Sequence, residues 1–164
     1  SSTSRGLGDV YKRQPLARPK DLEGRTYKVK WPDSEHALYI TINDILLHDQ
    51  RRPFEIFVNS KNMEHFAWTV GLTRMISAVF RRGGDVSFVV DELKAVFDPR
   101  GGAWMGGKYI PSILAAIGNT IETHMIEIGF LSRAVLGPQS PETKKPTLTQ
   151  QSSPTSLRLS LIHI

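Results

Sequence analysis

The alternation of apolar and polar residues along the chain predicts a three-stranded antiparallel meander. The strand-like runs are rich in aromatic and β-branched residues and lie at residues 25–31, 36–43 and 53–59. Short polar connections separate them. In the second connection, residues 44–52, the apolar residues 45–47 are predicted to turn inwards.

A central helix is predicted directly after the third strand. Asn59 or Ser60 can cap its start with a side-chain oxygen, and the Arg81-Arg82-Gly83-Gly84 run is typical of a helix end. The apolar residues of this helix are Met63, Phe66, Ala67, Val70, Leu72, Met75, Ile76, Val79 and Phe80. They cover a wide arc, so the helix is predicted to be buried on more than one side.

Two further helices follow in the pattern. The second is capped by Asp85 and stopped by Asp98-Pro99. Its predicted buried face consists of Val86, Val89, Val90, Leu93, Val96 and Phe97. The third follows Pro111-Ser112 and is closed by Gly129 or Gly137, with Ile113, Leu114, Ile117, Ile121, Met125 and Ile128 inward. The predicted fold class is therefore α+β, a three-stranded antiparallel meander packed against three helices, with flexible tails.

Composition narrows the class of protein. The chain has 164 residues, 40% of them apolar and 23% charged, which fits one domain with tails. It has no cysteine, so it carries no disulfide, thiolate metal site or thiol redox chemistry of its own. No apolar run approaches the roughly 18 residues of a membrane span, and we expect no membrane contact and a cytoplasmic protein.

The basic charge balance is concentrated at the ends. The whole chain has a net charge of +5, whereas residues 18–133 contain 15 Lys and Arg against 14 Asp and Glu. A nearly neutral domain argues against nucleic-acid binding, which needs a clustered basic surface.

The two ends of the chain can be encoded by complementary DNA. DVYKRQ at residues 9–14 and LSLIHI at residues 159–164 follow from one string and its reverse complement, which match a transposon end used in sequencing libraries. We therefore expect adapter-derived sequence at both ends. The predicted boundaries are 1–14 adapter, 15–24 lead-in, 25–137 folded domain, 138–158 flexible linker and 159–164 adapter.

A glycine-rich segment, GAWMGGK at residues 102–108, matches part of a phosphate-binding loop. Tyr109 stands where that motif needs Ser or Thr, and a helix is predicted where a strand should precede it, so we favour a tight connector. Contact with an anion or a partner stays open, as does the choice between a lid and an exposed anchor for Trp104. The candidate contact residues are Arg81, Arg82, Arg100, Gly101, Gly102, Trp104 and Lys108.

The histidines do not form a recognisable catalytic or metal-binding pattern. They are His36, His48, His65, His124 and His163, and none lies at H-x-x-x-H or H-x-E spacing. We interpret them as surface or capping residues. No catalytic, metal-binding or cofactor-binding residue is predicted in this chain.

Several strings together resemble a known family. They are ARPKDLEGRTYKVKWP, ALYITIND, RRPFEIFVNSKNMEHFAWTVGLTRMISAVFRRGGD, VVDELKAVFDPRGG and GGKYIPSILAAIG. Over about residues 18–130 the chain resembles the TSCPD-type domain of adenosylcobalamin-dependent (class II, vitamin B12-dependent) ribonucleotide reductases. The likeness is strongest to the small separate accessory polypeptide encoded beside a shortened catalytic subunit.

The resemblance implies an accessory role. It implies docking to the catalytic subunit, which would hold adenosylcobalamin and the nucleotide, and the tethering of a cysteine-bearing redox tail. Because this chain has no cysteine, it lacks that tail and the Thr-Ser-Cys-Pro-Asp signature, and is expected to be a truncated fragment. The alternative is an independent nucleotide- or phosphate-binding regulatory module that uses Arg81, Arg82, Arg100 and Lys108.

Overall fold

The predicted meander is present in the computed structural model of the chain, which describes residues 14–132. Three strands form an antiparallel sheet in the order β1-β2-β3. They are β1 (Glu23–Val29), β2 (Leu38–Leu47) and β3 (Gln50–Asn59). The predicted adapter ends and the linker fall outside the described residues, apart from residue 14.

The predicted loop at residues 44–52 is wrong. Strand β2 continues through Leu47, and a two-residue turn at His48 and Asp49 leads directly into β3. Both turn residues have positive φ, 51° and 61°, which matches the twist of the paired strands. Leu46 does not turn inwards, because it lies on the outer face of the extended strand and is 65% exposed.

The three predicted helices are confirmed. A 3₁₀ turn (Met63–His65) precedes α1 (Phe66–Arg81), and α2 (Phe88–Lys94) and α3 (Ile113–Glu127) follow. The start of α1 differs from the prediction, since Asn62 accepts the Glu64 amide instead of Asn59 or Ser60 acting as the cap. Asp85 accepts the Ser87 amide before α2, as expected. Helix α2 ends before residue 97, so Phe97 is exposed instead of buried.

The glycine-rich connector forms a small β-hairpin. Its strands are β4 (Ala103–Met105) and β5 (Lys108–Ile110), joined by Gly106 and Gly107 with φ of 58° and 79°. Two successive left-handed residues are what a two-residue hairpin turn requires, and glycine adopts that conformation without strain.

The main core lies between the inner face of the sheet and the three helices. Its fully or nearly buried members are Ile40, Ile42, Ile56, Ile76, Phe80, Val86, Val89, Val90, Leu93, Ile117, Ile121 and Met125. Helices α2 and α3 approach closely at Gly118, where a Cβ atom would lie 2.9 Å from the Cβ of Leu93. Gly129, with φ of 79°, ends α3 as predicted.

Helix α1 covers the free edge of β3 with a polar stripe. Ser77 Oγ accepts the Ile56 amide at 3.0 Å and donates to the Ile56 carbonyl at 3.3 Å. Thr69 and Thr73 are also buried, and their hydroxyls donate to carbonyls of the preceding helical turn. The prediction that α1 is buried on more than one side is therefore wrong, because its buried face is this stripe together with Ile76 and Phe80.

Candidate functional site

The outer face of α1 is apolar and exposed. Met63 is 73% exposed and Met75 is 68% exposed. The exposed residues of this face, which we call the α1 surface, are Met63, Phe66, Ala67, Val70, Gly71, Met75 and Ala78. From Phe66 onwards they recur at the three- and four-residue spacing of one helix face, and Arg74 is the charged residue among them. A contiguous exposed apolar surface is typical of a contact with another macromolecule.

Both ends of the described chain lie near the C-terminal end of α1. The Leu16 amide donates to the Arg81 carbonyl at 2.8 Å. At the other end, the Phe130 ring lies 5.2 Å from the Arg52 guanidinium, which donates to the Gly84 carbonyl at 2.6 Å. Leu16 and Phe130 therefore both lie near the end of the helix that carries the α1 surface.

A groove of about 580 Å³ lies between β1, the β4–β5 hairpin and α3. We call it the β1–β5 groove. Its lining residues are Tyr27, Lys28, Val29, Lys94, Met105, Lys108, Tyr109, Ile110, Pro111, Ala115, Ala116, Asn119, Thr120, Glu122 and Thr123. The groove volume is in the range of sites that bind small molecules or short peptide segments.

The charge of the β1–β5 groove is positive. Lys94 forms an ion pair with Glu122 at 2.8 Å, and Glu122 is the acidic residue in the lining. The side chains of Lys28 and Lys108 have no hydrogen-bond or ion-pair partner among residues 14–132. Two unpaired cations therefore remain for an acidic ligand.

A buried polar chain joins α3 to the sheet beside this groove. His124 is fully buried, with Nε2 2.7 Å from Asp44 Oδ1 and Nδ1 2.8 Å from the Tyr27 hydroxyl. Nε2 donates to the carboxylate, while the Tyr27 hydroxyl, which also donates to Glu127 at 3.3 Å, hydrogen-bonds to Nδ1. Burial raises the pKa of Tyr27, and the charge of Glu127 raises it further. The prediction that His124 is a surface or capping residue is wrong.

A second polar cluster surrounds Glu55 on β3. Its carboxylate accepts hydrogen bonds from Arg18 and Asn43 and lies 3.6 Å from Arg81. Burial alone would raise the pKa of Glu55, but the hydrogen bonds from Arg18 and Asn43 and the charges of Arg18 and Arg81 hold that pKa below its usual value. This cluster fixes the lead-in segment against the sheet.

Comparison with known protein families matches residues 9–125 to the TSCPD domain, more than half of the chain. The chain belongs to the TSCPD domain family. This domain is found in B12-dependent ribonucleotide reductases. No curated protein and no solved structure matches the chain. The match to the TSCPD domain begins within residues 1–14, whose assignment to adapter DNA stays a prediction.

The described part of this TSCPD domain contains neither a metal-binding cluster nor a membrane-spanning helix. Within residues 14–132, no group of three or more His, Cys, Asp or Glu side chains is arranged to hold a metal ion. No helix there is long and apolar enough to cross a membrane.

The predicted contact residues of the TSCPD domain lie in different places. Arg81 is held by Glu55 and lies 5.3 Å from the Phe54 ring, and Arg82 is exposed at the end of α1. Arg100 is paired with Asp98, and Gly101 and Gly102 belong to the loop before β4.

Trp104 and Lys108 lie on the hairpin, where Lys108 alone of the predicted set lines the groove. Trp104 is 72% exposed and its ring lies 5.8 Å from that of Tyr109, so it is not folded onto the core as a lid.

Sequence reasoning missed most of both candidate surfaces. Lys28 and Lys94 join Lys108 in the groove, although 66 residues separate Lys28 from Lys94 and no local motif links them. The α1 surface could have been found from the sequence, because Thr69, Thr73 and Ser77 recur every four residues and mark a separate polar face.

Proposed function

We propose that this TSCPD domain is an accessory domain of a B12-dependent ribonucleoside-diphosphate reductase. It supports the reduction of ribonucleotides to deoxyribonucleotides by docking to the catalytic subunit in the cytoplasm. The observation that carries the proposal is the α1 surface, an exposed apolar helix face on a domain whose family occurs in these enzymes. Burial of that face against a partner would remove apolar area from water and stabilise the complex.

The positions of the chain ends support a tethering role. Because Phe130 is held beside Arg52 and Gly84, a tail attached after it would begin near the C-terminal end of α1. A flexible linker of the predicted length, residues 138–158, spans on the order of 25 Å. A redox-active tail attached to it would be kept at high effective concentration near the catalytic subunit.

The redox and cofactor chemistry is assigned to other parts of the enzyme. The chain has no cysteine, so the thiols that deliver electrons would belong to a tail beyond this sequence or to the partner. The β1–β5 groove, at about 580 Å³, is the size of a site for a small ligand and does not suit a cofactor as large as adenosylcobalamin. We place that cofactor in the catalytic subunit.

Titration of the catalytic subunit with this chain tests the docking surface. Met75→Asp puts a charge in the middle of the α1 surface, and we expect the dissociation constant to rise at least tenfold because the carboxylate would lose its water in the interface. Leu46→Asp is the matched control, since Leu46 is 65% exposed on β2, close to the 68% of Met75. The control should bind within twofold of the unmodified chain. Equal binding by both variants, or no complex with the unmodified chain, would overturn the proposal.

A further inference from the structure

We propose that the β1–β5 groove binds an extended, acidic peptide segment of another protein, which adds as a β-strand between β1 and β5. This inference goes beyond the proposed function, because it concerns a surface separate from α1 and does not require the reductase. Strand addition to an exposed sheet edge is a common way of binding peptides, with affinity supplied by main-chain hydrogen bonds.

The lining of the groove shows that it follows two strand edges. Three successive residues of β1 (27–29) and three of β5 (108–110) line it. Successive side chains of a strand point to opposite faces, so consecutive residues can share one groove only if it runs along the backbone edge. Among residues 14–132, neither strand has a neighbour on that side, since β1 is at the end of its sheet and β5 is one of two strands in the hairpin.

The alternation of hydrogen bonds identifies the free groups on β1. Ile56 turns its amide and carbonyl outwards to Ser77, so the paired residue Ile42 turns its own groups towards Arg25 on β1. Arg25 and Tyr27 therefore turn their backbone groups towards β2, and the residues between and after them, Thr26 and Lys28, turn theirs to the open edge. This accounts for Lys28 in the lining, although its side chain lies on the opposite face of the sheet from Tyr27 and Val29.

The same reasoning applies to β5. A two-residue turn makes Met105 and Lys108 a hydrogen-bonded pair, so the next residue, Tyr109, turns its amide and carbonyl away from β4. The outward backbone groups of Lys28 and Tyr109 make no hydrogen bond within residues 14–132. Both edges of the groove therefore offer free backbone groups to an added strand.

The floor of the groove leaves space for such a strand. It is formed by small side chains on α3, namely Ala115, Ala116, Asn119, Thr120 and Thr123. The buried chain from Asp44 through His124 to Tyr27 holds this part of α3 against the sheet. The groove therefore has a fixed floor and two open strand edges as walls.

The positive charge of the β1–β5 groove indicates what kind of segment it binds. The unpaired Lys28 and Lys108 favour acidic side chains on a neighbouring strand, where opposite charges across strands are stabilising. The ends of this chain do not match, because residues 1–13 have three Lys and Arg against one Asp, and residues 133–164 have four against one Glu. A second copy would bring the unpaired Lys28 and no unpaired carboxylate on its own β1 edge, since Arg25 is paired with Glu127 and Glu23 with Arg51. An acidic segment of a different protein is left as the complementary occupant.

Selection from a random 12-residue peptide library on the full chain tests the proposal. We expect enrichment of Asp and Glu among extended, β-favouring sequences. The strongest synthetic peptide should bind the Lys28→Glu/Lys108→Glu variant at least tenfold more weakly. The control variant Lys20→Glu/Lys61→Glu changes two exposed lysines that do not line the groove and should bind within twofold.

Backbone pairing is tested separately from charge. N-methylation of alternate residues of the selected peptide removes its amide donors. We expect at least a tenfold loss of binding with either alternating pattern, because one set of amides would pair with β1 and the other with β5. The bound peptide should also slow hydrogen exchange at the amides of Lys28 and Tyr109. The proposal is overturned by the absence of any enriched peptide, by binding that survives charge reversal or either N-methylation pattern, or by self-association of the chain through β1. These outcomes leave the Met75→Asp result on docking unaffected, so the two proposals can fail separately.

Discussion

The two edges of the three-stranded sheet differ, because one is covered by a helix and the other is open. At the β3 edge, α1 lies against the strand and Ser77 satisfies both free backbone groups of Ile56. At the β1 edge, the outward backbone groups face a groove, and charged residues such as Arg25 and Lys28 lie along the strand. An unpaired edge invites association with other strands, and like charges protect it from its own copies. The comparison shows two ways of treating a strand edge. A helix that covers the edge needs polar side chains that bond the free backbone groups, whereas an open edge needs charged side chains that prevent pairing with other copies.

The largest expected loss of stability comes from breaking the contact that holds α3 beside the open β1 edge. His124→Leu removes the hydrogen-bond partner of Asp44, whose side chain is 2% exposed, and should lower the free energy of unfolding by about 3–5 kcal/mol. Urea unfolding at pH 7 measures it. His65→Leu is the control, because His65 accepts a hydrogen bond from Trp68 at a half-exposed site and its loss should cost about 1 kcal/mol. Equal losses in both variants would show that the buried chain does not hold α3.

A smaller loss of stability is expected when Ser77, which closes the β3 edge, is replaced. Ser77→Ala leaves the amide of Ile56 buried without a partner and should cost about 1–3 kcal/mol. Thr73→Val removes a buried hydroxyl that donates only to carbonyls of its own helix, so its cost should be below about 1 kcal/mol. Thermal and urea unfolding of the two variants compare them. If Thr73→Val proved the more damaging, Ser77 would not be the residue that closes the edge.

The smallest expected effect is a pH dependence at Glu55, on the strand of the covered edge. Because folding lowers the pKa of Glu55, its ionised form stabilises the fold above the ordinary glutamate pKa, about 4.3. That contribution is lost as the pH falls through the lower folded pKa. Between pH 7 and pH 3, Glu55→Gln should therefore lose less free energy of unfolding than the unmodified chain. We expect a difference on the order of 1 kcal/mol, since Arg18 and Arg81 are half-exposed and screened. An identical pH dependence in both proteins would contradict the role of this cluster.

Much of the fold follows from local pattern. Alternation identified the three strands, and the i, i+3, i+4 spacing of Ile117, Ile121 and Met125 identified the buried face of α3. The turn at His48 and Asp49 was missed because neither residue is glycine, which is the usual signal for left-handed turn residues. Without that signal, the apolar residues 45–47 at the end of β2 were predicted to belong to a loop that turns inwards.

The sites were less predictable because they depend on residues that are distant in sequence. The apolar residues of α1 were predicted to face inwards, but Thr69, Thr73 and Ser77 are buried instead. The hydroxyls of Thr69 and Thr73 donate to carbonyls of the preceding helical turn, and Ser77 bonds to Ile56 on β3. His124 lies 80 residues from Asp44, so no spacing rule could pair them. Likewise, only the tertiary fold brings the open edges of β1 and β5 to one groove.

Residue-resolved amide hydrogen exchange of the unbound chain tests the contrast between the edges most directly. The amide of Ile56, held by Ser77, should exchange slowly, and so should that of Tyr27, which pairs with Ile40 on β2. The amide of Lys28 points to the open groove and should exchange much faster than either. Exchange at Lys28 as slow as at Ile56 would show that the β1 edge is already closed, and would contradict the account.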